Sequence, residues 1–409
     1  MPKEGHISFE ELGVKFGSSA TPSSLFLYTD EENRFREEFR KFVLSEVFPV
    51  ADRIDKENNV ELSHEVVRKM AKSGYLKAAF PKQIGGDGKG LVYRTILGEE
   101  LTSASYSASV TFGASAALYA MPILKFGTKE QLEKFIRPIM KGELGAIAIT
   151  ESTGGSDAVG GMKTRAKKEG DEYVINGEKR FITNGSKADY LLLYAITNPD
   201  VKTSHGMSAF IFPTKTKGFE VVKDYELMGR RGSVNSHLRF NNCRIPKENL
   251  LGTENKGVEI LMSGLDGERV FAASQYMGIS RSAYEVAAKY AAERMQFGRP
   301  LREFEGINFK ISEMYANIES ARLMLLRAAR MIDAGVRATK EAAAAKFLGV
   351  DSAVKTCNEA LQVLGGIGYT KEYPVERYLR DIRIGQLSAG SSEILRFLVQ
   401  REIYREMGY

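Results

Sequence analysis

The chain has 409 residues, 43% apolar and 27% charged, with 58 Lys and Arg against 52 Asp and Glu for a formal charge of +6. That length fits two or three domains of ordinary globular composition, and a mild basic excess without a long basic run argues against a nucleic-acid binder. Two cysteines, Cys243 and Cys357, and four scattered histidines exclude a disulfide scaffold and give no zinc-site spacing, so no metal is expected.

The N-terminus, MPKEGHISFEELGVKF, lacks the apolar core of a secretory signal, and no run approaches the roughly 20 apolar residues of a membrane helix. A soluble cytoplasmic protein without a membrane or nucleic-acid partner is expected. Residues 1–29 read as an extension, with the small polar segment 17–24 irregular. A helix starts near Thr29 and Asp30, followed by Phe35, Phe39, Phe42 and Val43 on one face. Helical patterns recur at 60–80, 93–104 and 127–141, giving an all-α domain over 30–145. The glycine-rich run 84–90 lacks phosphate-loop spacing and reads as a turn.

The pattern changes near 145. Residues 144–150 are an apolar run, and 172–176 and 179–183 flank Asn176-Gly177, which predicts a hairpin. Runs at 190–196, 208–213, 218–222 and 237–243 read as further strands, so a β domain is expected over 146–258. Helical spacing then returns, with apolar seams Tyr276, Ile279, Ala283, Val286, Tyr290; Ile311, Met314, Ile318, Ala321, Leu325; and Phe347, Val350, Val354, Cys357, Leu361, Leu364. Their period of about 3.5 predicts a helical bundle over 259–409.

Four segments could carry chemistry. Thr150-Glu151-Ser152-Thr153-Gly154-Gly155-Ser156-Asp157 follows a predicted strand and fits both an anion nest and a Ser/Gly turn. In Phe181-Ile182-Thr183-Asn184-Gly185 an aromatic and a threonine share one strand face, which suits a flat ring or plain cross-strand packing. Arg294-Met295-Gln296-Phe297-Gly298-Arg299-Pro300 ends a long helix, and Gln362-Val363-Leu364-Gly365-Gly366-Ile367-Gly368-Tyr369 reads locally as a helix C-cap.

In this order and at these separations the segments resemble the acyl-CoA dehydrogenase family of flavoenzymes, over about residues 30–406. Further anchors are Met228-Gly229-Arg230-Arg231-Gly232-Ser233, Ile245-Pro246-Lys247-Glu248-Asn249, Tyr373-Pro374-Val375-Glu376-Arg377, Arg380-Asp381 and Ala389-Gly390-Ser391-Ser392-Glu393-Ile394. The resemblance implies an N-terminal helical domain, a central β-barrel-like domain and a C-terminal four-helix bundle, assembled as a homotetramer. It also implies FAD, an acyl-CoA substrate desaturated between Cα and Cβ, hydride transfer to flavin N5, and an electron-transferring flavoprotein as partner. By family position Thr150, Ile182 and Thr183 would meet the isoalloxazine, with Phe181 packed on it in place of a frequent family Trp. Gly155 and Ser156 would meet the FAD pyrophosphate, and Ser156 the CoA arm as well. Arg294, Phe297, Gln362, Gly365 and Gly366 would hold the FAD diphosphate and adenosine, the loop reaching in from a neighbouring subunit. Ser391 and Glu393 are further cofactor contacts, and Asp266, Arg269 and Gly390 face the substrate. Glu305 stands where the family commonly has Gln and is left off the site.

The implied reaction needs a base for the α-proton and a donor for the enolate oxygen. Many members place a glutamate where this chain has Ala389, which cannot take a proton. The isovaleryl and long-chain branches carry it on the helix opening the bundle, where Leu265-Asp266-Gly267-Glu268-Arg269 matches. Glu268 is therefore the expected base, although residue type alone would make it a solvated helix-start carboxylate. Asp266, two residues away, is expected to point elsewhere. Glu393 reads as a first-turn cap or cofactor contact, and the Ala389 amide as the thioester-carbonyl donor. The alternatives are an acyl-CoA oxidase on a similar fold and a degenerate acyl-CoA-binding homologue. The small residues at 388 and 389 favour a branched or longer acyl group.

Overall fold

The computed structural model describes residues 27–409; the segment 17–24 and most of the expected extension lie outside the described residues. Thr29 opens α1 (Asp30–Phe42) with a capping box: its hydroxyl accepts from the Glu32 amide at 3.2 Å, and its own amide donates to the Glu32 carboxylate at 2.8 Å. Helices α2 (Phe48–Lys56), α3 (Val60–Lys72), α4 (Leu91–Ala104), α5 (Tyr106–Phe126) and α6 (Lys129–Phe135) follow. The helix predicted over 60–80 is divided at Gly74 (φ 84°), beyond which Tyr75–Ala79 is a 3-10 turn.

Periodicity missed α5 because nearly every residue is buried and no polar face marks it. Length and composition alone would let it cross a bilayer, but 78% of its apolar window is buried inside the protein, as in a core helix. A π-turn (Ala114–Tyr119) interrupts it.

The middle of the chain forms one mixed sheet from β1 (Gly145–Ala148), β2 (Arg165–Glu169), β3 (Glu172–Thr183), β4 (Tyr190–Ile196), β5 (Met207–Pro213), β6 (Phe219–Asp224), β7 (Asn235–Pro246) and β8 (Leu250–Leu251). The order is β6-β7-β3-β2-β4-β5-β8, with β1 parallel beside β4. β4 is apolar throughout because Leu191 and Leu193 face the sheet's own core while Leu192 and Tyr194 face the N-terminal helices.

The hairpin predicted at Asn176-Gly177 is not there. β3 runs straight through, and the turn lies at Gly170-Asp171, after β2, whose charged RAKKE sequence hid it. Gly177 instead marks a register shift against β7, where a β-carbon would collide with Thr164. Close backbone approach demands glycine as firmly as a tight turn does.

The bundle comprises α7 (Gly257–Glu293), α8 (Glu305–Asp333), α9 (Thr339–Leu364) and α11 (Ser392–Glu406), with α10 (Val375–Ile382) packed beside α9. The predicted α9 seam shifts. The fully buried line runs through Ala343, Lys346, Val350, Ala353 and Cys357, while Phe347, Val354 and Leu361 are only partly buried. Small side chains let α9 lie close on α7, and Phe347 turns toward Leu395 of α11.

Two glycines seat α7 against the N-terminal helices. A β-carbon on Gly98 of α4 would collide with Ser274 and Phe271, and one on Gly113 of α5 with the Phe271 ring. Above this contact, Glu99 and Glu100 of α4 are buried among Arg36, Arg40, Arg281 and Arg322, from α1, α7 and α8, at 2.6–2.9 Å.

Candidate active site

Gly264, Glu268 and Phe271 follow at i, i+4 and i+7 on α7. All three line an open-mouthed cavity of about 470 Å³, whose other walls include Arg94 of α4, Ala117 and Met121 of α5, and Val336 of the α8–α9 turn. Glu268 is half-buried. Burial pushes its carboxyl above the ordinary carboxylate value, with Arg269 and Lys346 moderating the rise.

Lys346 is fully buried. Its ammonium donates to the carbonyls of Gly385 (2.6 Å) and Gly390 (2.7 Å), on either side of Ala389. Burial lowers this amine to about 8, against the pull of Glu268 and Asp351. One cation thus tethers the 385–390 loop and lies within electrostatic reach of Glu268. Ala389 has φ 55° and Gly390 φ 81°, a left-handed pair that turns the chain sharply before α11. Among the described residues nothing accepts from the Ala389 amide.

Asp266 also lines the cavity, contrary to the expected divergence from Glu268, but its carboxylate is engaged by Arg269 (2.9 Å) and the Thr339 hydroxyl (2.7 Å). The Arg269 Nε is enclosed and has no partner among the described residues. Ser391 caps α11, its hydroxyl accepting from Ile394. Glu393 is exposed on the first turn, and its own amide and the Ser391 hydroxyl hold its carboxyl low, as a cap residue's would be.

A second cluster forms on the sheet. The Thr150 carbonyl accepts from the Arg180 amide at 2.8 Å, which brings the end of β1 beside Phe181. Phe181 sits in a β3–β7 register shift with φ 57° and is 59% exposed, its ring stacked on Tyr225 at 4.7 Å. Thr183 lies on the same side, whereas the Ile182 side chain is buried in the sheet core and leaves only its backbone to the surface. The Thr150 and Thr183 hydroxyls have no hydrogen-bond partner among the described residues, so an exposed aromatic face between two free hydroxyls suits a flat heteroaromatic ring.

Gly155 and Ser156 are exposed on the adjoining loop, with open space around Gly155. Glu151 pins that loop: it accepts from the amides of Lys163 (2.7 Å) and Thr164 (3.1 Å), the Thr164 hydroxyl (2.7 Å) and the buried Lys179 ammonium (2.7 Å). Burial draws Lys179 down to about 8 against the pull of Glu151.

Arg294 and Phe297 are not part of this gathering. They follow the C-terminus of α7, and 26 residues of helix separate Glu268 from Arg294, about 39 Å at 1.5 Å per residue. Phe297 is 93% exposed with φ 48°. Gln362, Gly365 and Gly366 are likewise exposed at the C-terminus of α9, with open space around both glycines. Within one chain Arg294 and Phe297 lie too far along α7 to line the cavity beside Glu268.

The sequence reading missed Lys346 and Lys179. The available signal was a cation in phase with an apolar pattern: Lys346 lies four residues before Val350 and eleven before Cys357. Among the described residues no group of His, Cys, Asp or Glu is arranged to hold a metal.

Comparison with known proteins identifies the family to which this fold belongs. Residues 29–143, 146–243 and 255–404 match the N-terminal, middle and C-terminal domains described for acyl-CoA dehydrogenase. An acyl-CoA dehydrogenase of Bacillus subtilis is 39% identical over 374 residues, 91% of this chain and 98% of that protein. Mitochondrial isovaleryl-CoA dehydrogenase of Solanum tuberosum is 36% identical over 385 residues, 94% and 93% of the two chains. The structure of butyryl-CoA dehydrogenase from Megasphaera elsdenii superimposes with a TM-score of 0.89 at 36% identity, covering 92% of this chain and 99% of that one. A structure from work on the electron transferring flavoprotein of Acidaminococcus fermentans does so with 0.90 at 35%, covering 92% and 99%.

Proposed function

Because the chain belongs to the acyl-CoA dehydrogenase family, whose members carry out FAD-dependent dehydrogenation of acyl-CoA, we propose that Glu268 is the base that removes the substrate's α-proton. The observation that carries this reading is a half-buried carboxylate on the cavity wall, raised above its ordinary pKa and electrostatically linked to Lys346, which tethers the Ala389 loop.

A thioester α-proton is a weak acid, so the base must be desolvated and the developing enolate oxygen stabilised together. Glu268 answers the first need. The free Ala389 amide answers the second, and such a donor contributes about 2.7–4 kcal/mol to a transition state. Bound FAD would supply the acceptor for the hydride that leaves Cβ. Phe181 and the hydroxyls of Thr150 and Thr183 would hold the ring system, with the Ile182 backbone beside them. Gly155, Ser156, Ser391 and Glu393 would contact the rest of the cofactor and the CoA arm, and Asp266, Arg269 and Gly390 the substrate.

The 39 Å along α7 supports a reading in which Arg294 and Phe297, and with them Gln362, Gly365 and Gly366, serve the FAD of a neighbouring copy in a homo-oligomer, by family pattern a tetramer. An electron-transferring flavoprotein is the proposed acceptor, supported by the likeness to a chain studied with such a protein. A cytoplasmic location and a branched or longer acyl group complete the proposal. The test is Glu268→Gln. The variant should remain yellow and bind acyl-CoA, while bleaching of the flavin by substrate slows by about 10²- to 10⁴-fold. Bleaching at the wild-type rate would remove Glu268 from the mechanism.

A further inference from the structure

The cavity beside Glu268 holds a charged group that the desaturation leaves without a task. Arg94 enters from α4, and its Nε is enclosed with no acceptor among the described residues. A terminal nitrogen lies against the Met121 sulfur, a weak acceptor. The carboxylate in electrostatic reach, Asp333, is already occupied by the amides of Leu91 (2.6 Å) and Val92 (3.1 Å) at the start of α4. The cavity's other carboxylates are committed too: Glu268 as the proposed base, Asp266 to Arg269 and Thr339.

The same walls carry two more cations, Lys125 and Arg337, of which Arg337 pairs with Glu402 at 3.0 Å. Arg94 is half-buried, its Nε is enclosed without an acceptor, and its planar fork matches a carboxylate or a phosphate. Helices α4 and α7 run side by side in the same direction, Gly98 meeting Ser274 and Glu99 meeting Gly278, so Arg94, one turn before Gly98, stands level with the stretch of α7 that carries Glu268.

We propose that Arg94 binds an anionic group carried by the acyl-CoA itself, either a carboxylate at the far end of the acyl chain or a phosphate of the CoA arm. The proposal rests on the cavity being the acyl-CoA site. It makes the Arg94 guanidinium a specificity device, whose Nε finds an acceptor when a charged substrate enters.

The experiment compares wild-type holoenzyme with Arg94→Met and Arg94→Lys, reading kcat/KM for flavin bleaching. Three substrates share one chain length: a neutral acyl-CoA, its ω-carboxyacyl-CoA, and the neutral acyl group on pantetheine. Losing a charged hydrogen-bond partner should cost about 10- to 100-fold for the substrates that present the anion. With a carboxylate as source, Arg94→Met lowers the ratio of ω-carboxyacyl-CoA to neutral acyl-CoA activity by that factor. With a phosphate as source, it lowers the ratio of acyl-CoA to acyl-pantetheine activity instead. Arg94→Lys should restore part of either ratio and guards against simple misfolding. If both ratios stay at their wild-type values in Arg94→Met, the proposal is overturned. If none of the three bleaches the wild-type flavin, the desaturation reading fails on its own, and the same ratios, taken from binding affinities, still decide the role of Arg94.

Discussion

An ammonium removed from water loses several kcal/mol of hydration unless other groups replace it, so a fully buried lysine must be held by strong acceptors. Lys346 meets that need with the Gly385 and Gly390 carbonyls. Lys346→Met should release the Ala389 loop and also remove a positive charge that holds Glu268 down. The pH profile of flavin bleaching carries the signature: activity rises with pH as Glu268 ionises, and the midpoint should move upward in the variant. A lysine with only a structural role would lower the rate without moving the midpoint. Ala389 and Glu268 stood out only against the family resemblance, since residue type alone made Glu268 a solvated helix-start carboxylate. Lys346 did not stand out, since its worth lies in carbonyls about 40 residues away along the chain.

At the scale of elements, the loop after β1 keeps its shape through one buried ion pair. Lys179 and the Thr164 amide and hydroxyl converge on Glu151, and burial opposes but does not overcome their lowering of its carboxyl. Breaking such a pair from one side leaves an uncompensated charge, at a cost of about 3–5 kcal/mol. Lys179→Met should therefore lower the melting temperature and release flavin, measured by calorimetry and by the visible spectrum of the purified protein. The strands that frame this loop were readable where they are apolar, as β4 is. β2, with charges along its exposed side, and the straight passage of β3 through Asn176-Gly177 were not, because both depend on which strand lies alongside.

At the scale of the molecule, the Glu99–Glu100 cluster fastens the N-terminal helices to the bundle through four arginines. Burial works against ionisation of Glu99, but Arg322, Arg36 and Arg281 outweigh it and bring its pKa to about 2. A carboxyl lowered by folding adds stability above its unfolded pKa, and that contribution fades as pH falls toward the folded value. Thermal stability should thus drop between about pH 5 and pH 2, and Glu99→Gln should flatten that limb while lowering stability at neutral pH. The helical, β, helical order followed from pattern alone, since long apolar periods survive any detail of packing. The buried arginines did not, because charged residues on a helix ordinarily signal solvent.

The length of α7 has one more effect. Its first third bears Glu268 and its C-cap is Arg294, so a single rigid strut serves two separate reaction centres in the proposed assembly. Chains defective at opposite ends of that strut should rescue one another. Glu268→Gln and Arg294→Ala chains, each inactive alone, should regain activity when unfolded together and co-refolded with FAD, because mixed particles contain some centres built only from undamaged halves.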